Sequence, residues 1–311
     1  MYDVITVGSA LKDIFVDTGL KEMKSKGKDF IAYPSGYKIA VQDMKFSIGG
    51  GGINTAVGFS KMGLKTAYLG KMGKDDASKE IFEILKKEKI KFIGKQENAI
   101  TGHSIILDSY EHNRTILTYK GPSDDLKMSD INLKELKTKW IYFASAMKTT
   151  LQTQEKLAKF AKEHNIKVAF NPSEYEVKLG MKKLKPILSR TNVLIFNRDE
   201  AEILTGKKEI PVIINILKKF GIEVICITNG ADDLYVYSKE KTSKITPHKI
   251  KVVDMTGAGD ALASGFLSAF IRTNNADLAL KVGLANSQSE ISGYGTKNRL
   301  LTWNEAIRKT K

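Results

Sequence analysis

The chain has 311 residues, of which 42% are hydrophobic and 27% charged, enough to bury one large α/β core with an elaboration. The net charge of +15 raises nucleic-acid binding as a class, but arginine stands only at positions 114, 190, 198, 272, 299 and 308, and the many lysines lie along the polar sides of helical patterns. With no basic tail and no zinc-finger spacing, a solvated lysine surface is the plainer meaning of that charge, and with one cysteine and no apolar run near the roughly 20 residues of a membrane span, composition excludes a spanning helix and a disulfide scaffold.

The first strand ends at Gly8-Ser9-Ala10 and is followed by Asp13. The opening residues lack the basic and apolar regions of a signal peptide, and Cys226 sits in a buried-strand pattern, so a reducing cytoplasm is expected. In an open α/β sheet ligands bind beyond the carboxyl ends of the strands, which is where Asp13 falls. A carboxylate there can accept hydrogen bonds from sugar hydroxyls, or be an ordinary loop aspartate.

Residues 14–48 alternate short β-like runs with turns, including 30–33 and 37–46, and read as a small β excursion from the main sheet. Gly49-Gly50-Gly51-Gly52-Ile53-Asn54 then opens a helix that closes at Gly63. Four successive glycines cost conformational entropy, which implies that something comes close to their backbone. Asn54 offers a donor and an acceptor to a polyol; a hinge before a helix is the plainer meaning.

The α/β alternation resumes with strand 66–69, helix 77–88 and strand 91–93. A second β excursion covers about 100–120, with runs 103–107 and 114–119 joined by a hairpin at 108–113. His103 and His112 lack ligand-like spacing and read as surface or lid residues. Arg114 and Lys120 stand where they could meet an anionic group on a substrate, or be lid-surface charges. From 140 onward strands 140–144, 167–170, 193–196 and 223–228 alternate with helices 152–164, 178–188, 198–204 and 212–220, a mostly parallel, doubly wound pattern.

Asn197-Arg198-Asp199-Glu200 lies at a strand-to-helix step. It reads as a capping box, or as two side chains at the sheet edge near a magnesium ion and its waters. Thr228-Asn229-Gly230 ends the next strand and could meet phosphates. The stretch 252–270 is organised around Asp254-Met255-Thr256-Gly257-Ala258-Gly259-Asp260, a glycine turn into a helix marked by Leu262, Phe266, Ala269 and Phe270. Its free amides and helix N-terminus favour an anion. Asp260 then suits a carboxylate that takes a proton from an attacking hydroxyl, which describes phosphoryl transfer to an alcohol; the plainer meaning is a glycine turn with an acidic residue well placed in the first turn of a helix. A helical run over 278–291, carrying Asn286, and a terminal helix from 303 complete the reading.

Together these motifs resemble the ribokinase-like (PfkB) family of sugar and nucleoside kinases, in order and spacing, over essentially the whole chain. The resemblance lies in Gly49–Ala56, in Asn197-Arg198-Asp199-Glu200 and in Asp254-Met255-Thr256-Gly257-Ala258-Gly259-Asp260. It implies a single domain over 1–311 with a three-layer α/β/α core, a mostly parallel sheet, and a small β lid from about 14–48 and 100–120. It further implies Asp260 as general base, with Gly257, Ala258 and Gly259 as the anion hole, and Asp13, Gly50, Gly51 and Asn54 on the acceptor. Asn197 and Glu200 would organise Mg2+, reached through water, and Asn197, Thr228, Gly230 and Asn286 would line the ATP site. Asp254 and Thr256 match a loop that holds a monovalent cation such as K+ in some members.

Gly51 stands where several ribokinases have lysine, and the Thr228 segment lacks the usual second glycine. The expected activity is therefore ATP-dependent phosphorylation of a sugar hydroxyl, with a nucleoside kinase as the alternative and a non-catalytic basic nucleic-acid-binding protein as a remote one. An apolar lid pocket using Phe15, Tyr33 or Tyr110 would favour a nucleoside. No nucleic-acid or membrane partner is expected, and the protein is expected as a monomer or a lid-mediated homodimer.

Overall fold

The computed structural model describes residues 1–110, 114–293 and 295–310. Its main sheet has nine strands in the order Lys241–Ile245, Leu234–Ser238, Val224–Thr228, Val193–Asn197, Lys167–Phe170, Thr138–Phe143, Tyr2–Val7, Thr66–Leu69 and Lys91–Phe92. From Val224–Thr228 to Lys91–Phe92 all neighbours pair parallel; the two remaining strands form an antiparallel edge.

Parallel strands need both faces covered, and the side chains show it. Ile5, Ile141 and Leu194 point into one apolar cluster with the helices Lys148–Glu163, Gly180–Leu188 and Arg198–Thr205. Their chain neighbours Val4, Trp140, Val193 and Ile195 point into another, with the helices Ala258–Thr273 and Ala276–Glu290. Alternation along each strand thus produces helix, sheet and helix layers. Cys226 is wholly buried in the second cluster. No helix of the described residues is long and apolar enough to cross a membrane.

A separate four-stranded sheet, ordered Arg114–Tyr119, Gly102–Asp108, Leu11–Asp17 and Asp43–Gly49, covers the carboxyl end of the first strand. Several expectations are adjusted. The run at 30–33 is a strand only at Lys28–Phe30, paired with Met23–Ser25 in its own hairpin, and residues 37–42 carry no strand. The helix expected over 178–188 starts two residues later, at Gly180–Leu188, where Gly180 takes φ +81°, and a short helix Glu174–Val177 that was not expected precedes it. The edge hairpin of Leu234–Ser238 and Lys241–Ile245 has no counterpart in the sequence reading. Part of the expected hairpin at 108–113, with His112, lies outside the described residues.

Candidate active site

Two glycine turns from distant parts of the chain meet beneath the small sheet. The strand Asp43–Gly49 runs into the helix Gly51–Lys61 through Gly50, whose φ of +93° and 2.5 Å approach of a would-be Cβ to Ser9 O admit only glycine. Opposite it, Gly257 at φ +82° starts the helix Ala258–Thr273. No side chain of the described residues caps that helix, so its first-turn amides and positive end face the cleft. The Ala258 N–H donates to Met255 O at 3.3 Å, which leaves the amides after it as the freer donors.

Asp260 lies in that first turn, and Asn54 Nδ2 donates to its Oδ2 at 2.9 Å across 206 residues of sequence. Protein atoms enclose the carboxylate except toward the cleft, where it keeps some exposed surface. Burial pushes its pKa up to about 6; Asn54, Lys297 and Lys120 hold it down and Asp13 adds to the rise. A methyl group at Gly51 would stand 3.6 Å from Asp260 Oδ1, so bare backbone there keeps the approach to the base open.

Asp13 belongs to the strand Leu11–Asp17 and is 6% exposed. Burial raises its pKa against the pull of Lys297, a Ser104 hydrogen bond and Lys120. A Cβ at Gly49 would fall 1.8 Å from Asp13 Oδ2, so glycine at 49 is what lets the carboxylate stand here. Register places Ser47, Asp13, Ser104 and Thr118 in one row across the small sheet, and Lys45, Phe15, Ile106 and Ile116 in the next row on the same face. A hydroxyl-bearing row with a central carboxylate is followed outward by a mostly apolar one.

The remaining predicted residues divide. Asn197 and Glu200 form the capping box: Asn197 Oδ1 accepts from Glu200 N at 2.8 Å, and Glu200 Oε2 accepts from Asn197 N at 2.9 Å. Burial, with Asp199 and Glu174 nearby, pushes the Glu200 carboxyl up to about 7. A cation and its water shell beside it would favour the ionised carboxylate, so the donor set fits Mg2+. Thr228 is the register partner of Asn197 at the sheet's carboxyl edge, and Gly230, exposed at φ +56°, follows it. Among the described residues no group of three or more His, Cys, Asp or Glu is placed to hold a metal directly.

Asn286 does not face the cleft. It is fully buried; its Nδ2 donates to Ala261 O at 2.7 Å and its Oδ1 accepts from Leu301 N at 2.8 Å. It therefore ties its helix to the Asp260 helix. Its neighbours Ala285, Gln288 and Ser289, with His248, Ile250 and Val253, border a cavity of about 490 Å³.

Asp254 Oδ1 accepts from Thr256 N at 2.8 Å and Oδ2 from Gly295 N at 3.1 Å. Arg114 of the small sheet donates to Thr256 Oγ1 and lies 3.4 Å from Asp254 Oδ1. The loop expected to hold a monovalent cation thus meets a guanidinium, which a free ion would have to displace. Lys120 is the lid cation that faces the site: burial lowers its pKa, and Asp124, Asp13, Asp260 and Glu176 are the carboxylates that act on it. His103 Nδ1 lies 2.7 Å from Thr101 O.

Sequence reasoning missed Thr296 and Lys297. Thr296 Oγ1 donates to Asn54 Oδ1 at 3.1 Å, and Lys297 Nζ reaches the same oxygen at 3.2 Å. Both sit in a loop without a motif, and only the fold brings them to the base.

Residues 23–303 match the family described as pfkB family carbohydrate kinase. A ribokinase of Haemophilus influenzae is 25% identical over 280 residues, covering 88% of this chain and 90% of that protein. A nucleoside kinase of Methanocaldococcus jannaschii is 26% identical over 264 residues, covering 84% of each. Among solved structures, the Arabidopsis thaliana ribokinase complexed with ribose and ATP superposes with a TM-score of 0.82 at 18% identity, over 100% of this chain and 99% of that one.

Proposed function

We propose, from the premise that this chain belongs to the pfkB family of carbohydrate kinases, that it transfers the γ-phosphoryl group of ATP to a hydroxyl of a sugar. The observation that carries the mechanism is the Asn54–Asp260 pair at the uncapped start of the Ala258–Thr273 helix. Asp13, Asn54 and the Gly50–Gly51 backbone hold the acceptor's hydroxyls. Asp260 accepts the proton of the attacking hydroxyl, the acceptor oxygen bonds to the γ-phosphorus, and the β–γ bridging oxygen leaves with ADP. The amides after Gly257, aided by the helix end, offset charge on the transferring group. Glu200 and Asn197 would hold Mg2+ through water, and Mg2+ there would screen the phosphates. The base of ATP fits the cavity beside Val253 and Ala285, with Thr228 and Gly230 nearer the phosphates.

A nucleoside is the second reading, and the row of Phe15, Ile106 and Ile116 beyond Asp13 favours it, since an apolar strip beside a polyol site suits a base attached to ribose. The whole chain would work as one kinase unit in the cytoplasm, with the small sheet as its lid. On that sheet's outer face Phe46, Ile14, Ile105 and Leu117 form a row, with Phe46 and Leu117 exposed, which supports pairing of two lids in a dimer.

The test is an ADP-release assay with ATP and Mg2+ across free sugars, phosphosugars and nucleosides. Turnover on a free sugar is expected. Turnover confined to nucleosides would replace the sugar reading with the second one, and no turnover on any acceptor would refute the kinase reading.

A further inference from the structure

Lys297 is an ammonium placed among carboxylates inside the cleft. Its three donors meet three acceptors: Asn54 Oδ1 at 3.2 Å, Thr296 Oγ1 at 2.7 Å and Ile48 O. Ile48 O belongs to the strand that enters the glycine turn, so one side chain joins the lid strand to the helix Gly51–Lys61 that follows the turn and, through Asn54, reaches Asp260. Thr296 Oγ1 also lies 3.3 Å from Ile48 O.

These contacts fix the Asn54 amide. Its oxygen meets two donors, Thr296 Oγ1 and Lys297 Nζ, and its nitrogen meets the Asp260 carboxylate. Rotating the amide by half a turn would set NH2 against an ammonium and C=O against a carboxylate. With Lys297 in place only one orientation satisfies every group, and it aims a hydrogen bond at the base.

Charge leads to the same residue. Asp260 and Asp13 share one cleft and repel. The charged groups facing Asp260 are Lys297, Lys120 and Asp13; those facing Lys297 are Asp13, Glu290 and Asp260. The Lys297 charge acts on both carboxylates that must be ionised while an acceptor hydroxyl docks.

We propose that Lys297 is a positioning residue for the reaction, which holds the Asn54 amide toward Asp260 and supplies the counter-charge shared by Asp260 and Asp13. This rests on the kinase reading above. Burial drops the Lys297 pKa to about 8. With Asp260 at about 6, the ammonium and the carboxylate are both charged between these values, and the positive charge is lost as pH rises past the upper one.

Lys297→Met and Lys297→Arg are compared with wild type by ADP release over pH 5–9. In the Met variant kcat is expected to fall about tenfold to a hundredfold, as for a misaligned catalytic group. The acid limb of kcat/KM should move up by about one pH unit, as expected when a neighbouring opposite charge is removed, while KM for ATP stays within about twofold. Arginine should restore the limb. If the Met variant does not fold, as judged by thermal melting, Lys297→Gln takes its place.

Titration of the Asp260 carboxyl carbon by NMR, assigned with Asp260→Asn, gives a readout that needs no turnover. A midpoint displaced upward in Lys297→Met upholds the placement even if wild type phosphorylates nothing, an outcome that would sink only the kinase reading. An unchanged Asp260 midpoint, or an unchanged kcat and acid limb in an active enzyme, overturns the proposal.

Discussion

Asp260→Asn separates chemistry from folding. The substitution keeps size and shape, and an amide oxygen can still accept the 2.9 Å bond from Asn54 Nδ2. The proton acceptor is lost, so turnover should fall about 10²- to 10⁴-fold, the usual contribution of a general base. Stability should move the other way. The carboxyl's pKa is raised by burial from 3.8 to about 6, so the folded state holds its proton more tightly than the unfolded chain does. The protein therefore loses stability as pH climbs from 3.8 to about 6. Above that range the ionised group costs about 3 kcal/mol at about 1.4 kcal/mol per unit. Solvent reaching Asp260 from the cleft reduces this to about 1–2 kcal/mol. Relief of that cost should raise Tm by about 2–4 °C at pH 8 and leave it nearly unchanged at pH 4. The assays are ADP release under saturating ATP and thermal melts at the two pH values. Near-wild-type turnover would refute the base assignment; a variant less stable than wild type at pH 8 would refute the electrostatic reasoning.

Three further perturbations probe other parts of the site. Gly49→Ala places a methyl group 1.8 Å from Asp13 Oδ2, so kcat/KM for the acceptor should drop about 100-fold or more while ATP binding, read by calorimetry, stays as it was. Arg114→Met removes the bridge from the lid to Asp254 and Thr256. Acceptor KM should rise about threefold to tenfold, the worth of one partly exposed charged contact; an unchanged KM would mean that the bridge does not help hold the lid. Glu200→Gln should raise the Mg2+ concentration for half-maximal rate about tenfold or more, and a magnesium titration with identical midpoints would remove Glu200 from the metal's surroundings.

What the sequence discloses about this site depends on how local each signal is. Asn54 and Asp260 are readable because each sits on a glycine run that has few uses other than close approach to a ligand. Asp13 is readable from its position just past the end of the first strand, although the reason it can be buried, a neighbouring strand with no Cβ at residue 49, appears only once strands are paired. The parallel core is legible from strands such as 193–196 and 224–227, whose uninterrupted apolar runs have both faces to bury. The edge strand Lys241–Ile245 is not, because two lysines and two hydroxyl residues give it no apolar face. Asn286 misleads for the same local reason: an asparagine on a helix near a cleft reads as a ligand contact, and only packing reveals that backbone groups consume both ends of its amide. Lys297 and Arg114 lie 243 and 140 residues from the groups they engage, one in a loop without a motif and the other at the start of a run of strand formers. Their chemistry is set by position alone, so the charges that tune the base and tie down the lid are the part of this site that the folded chain alone can assign.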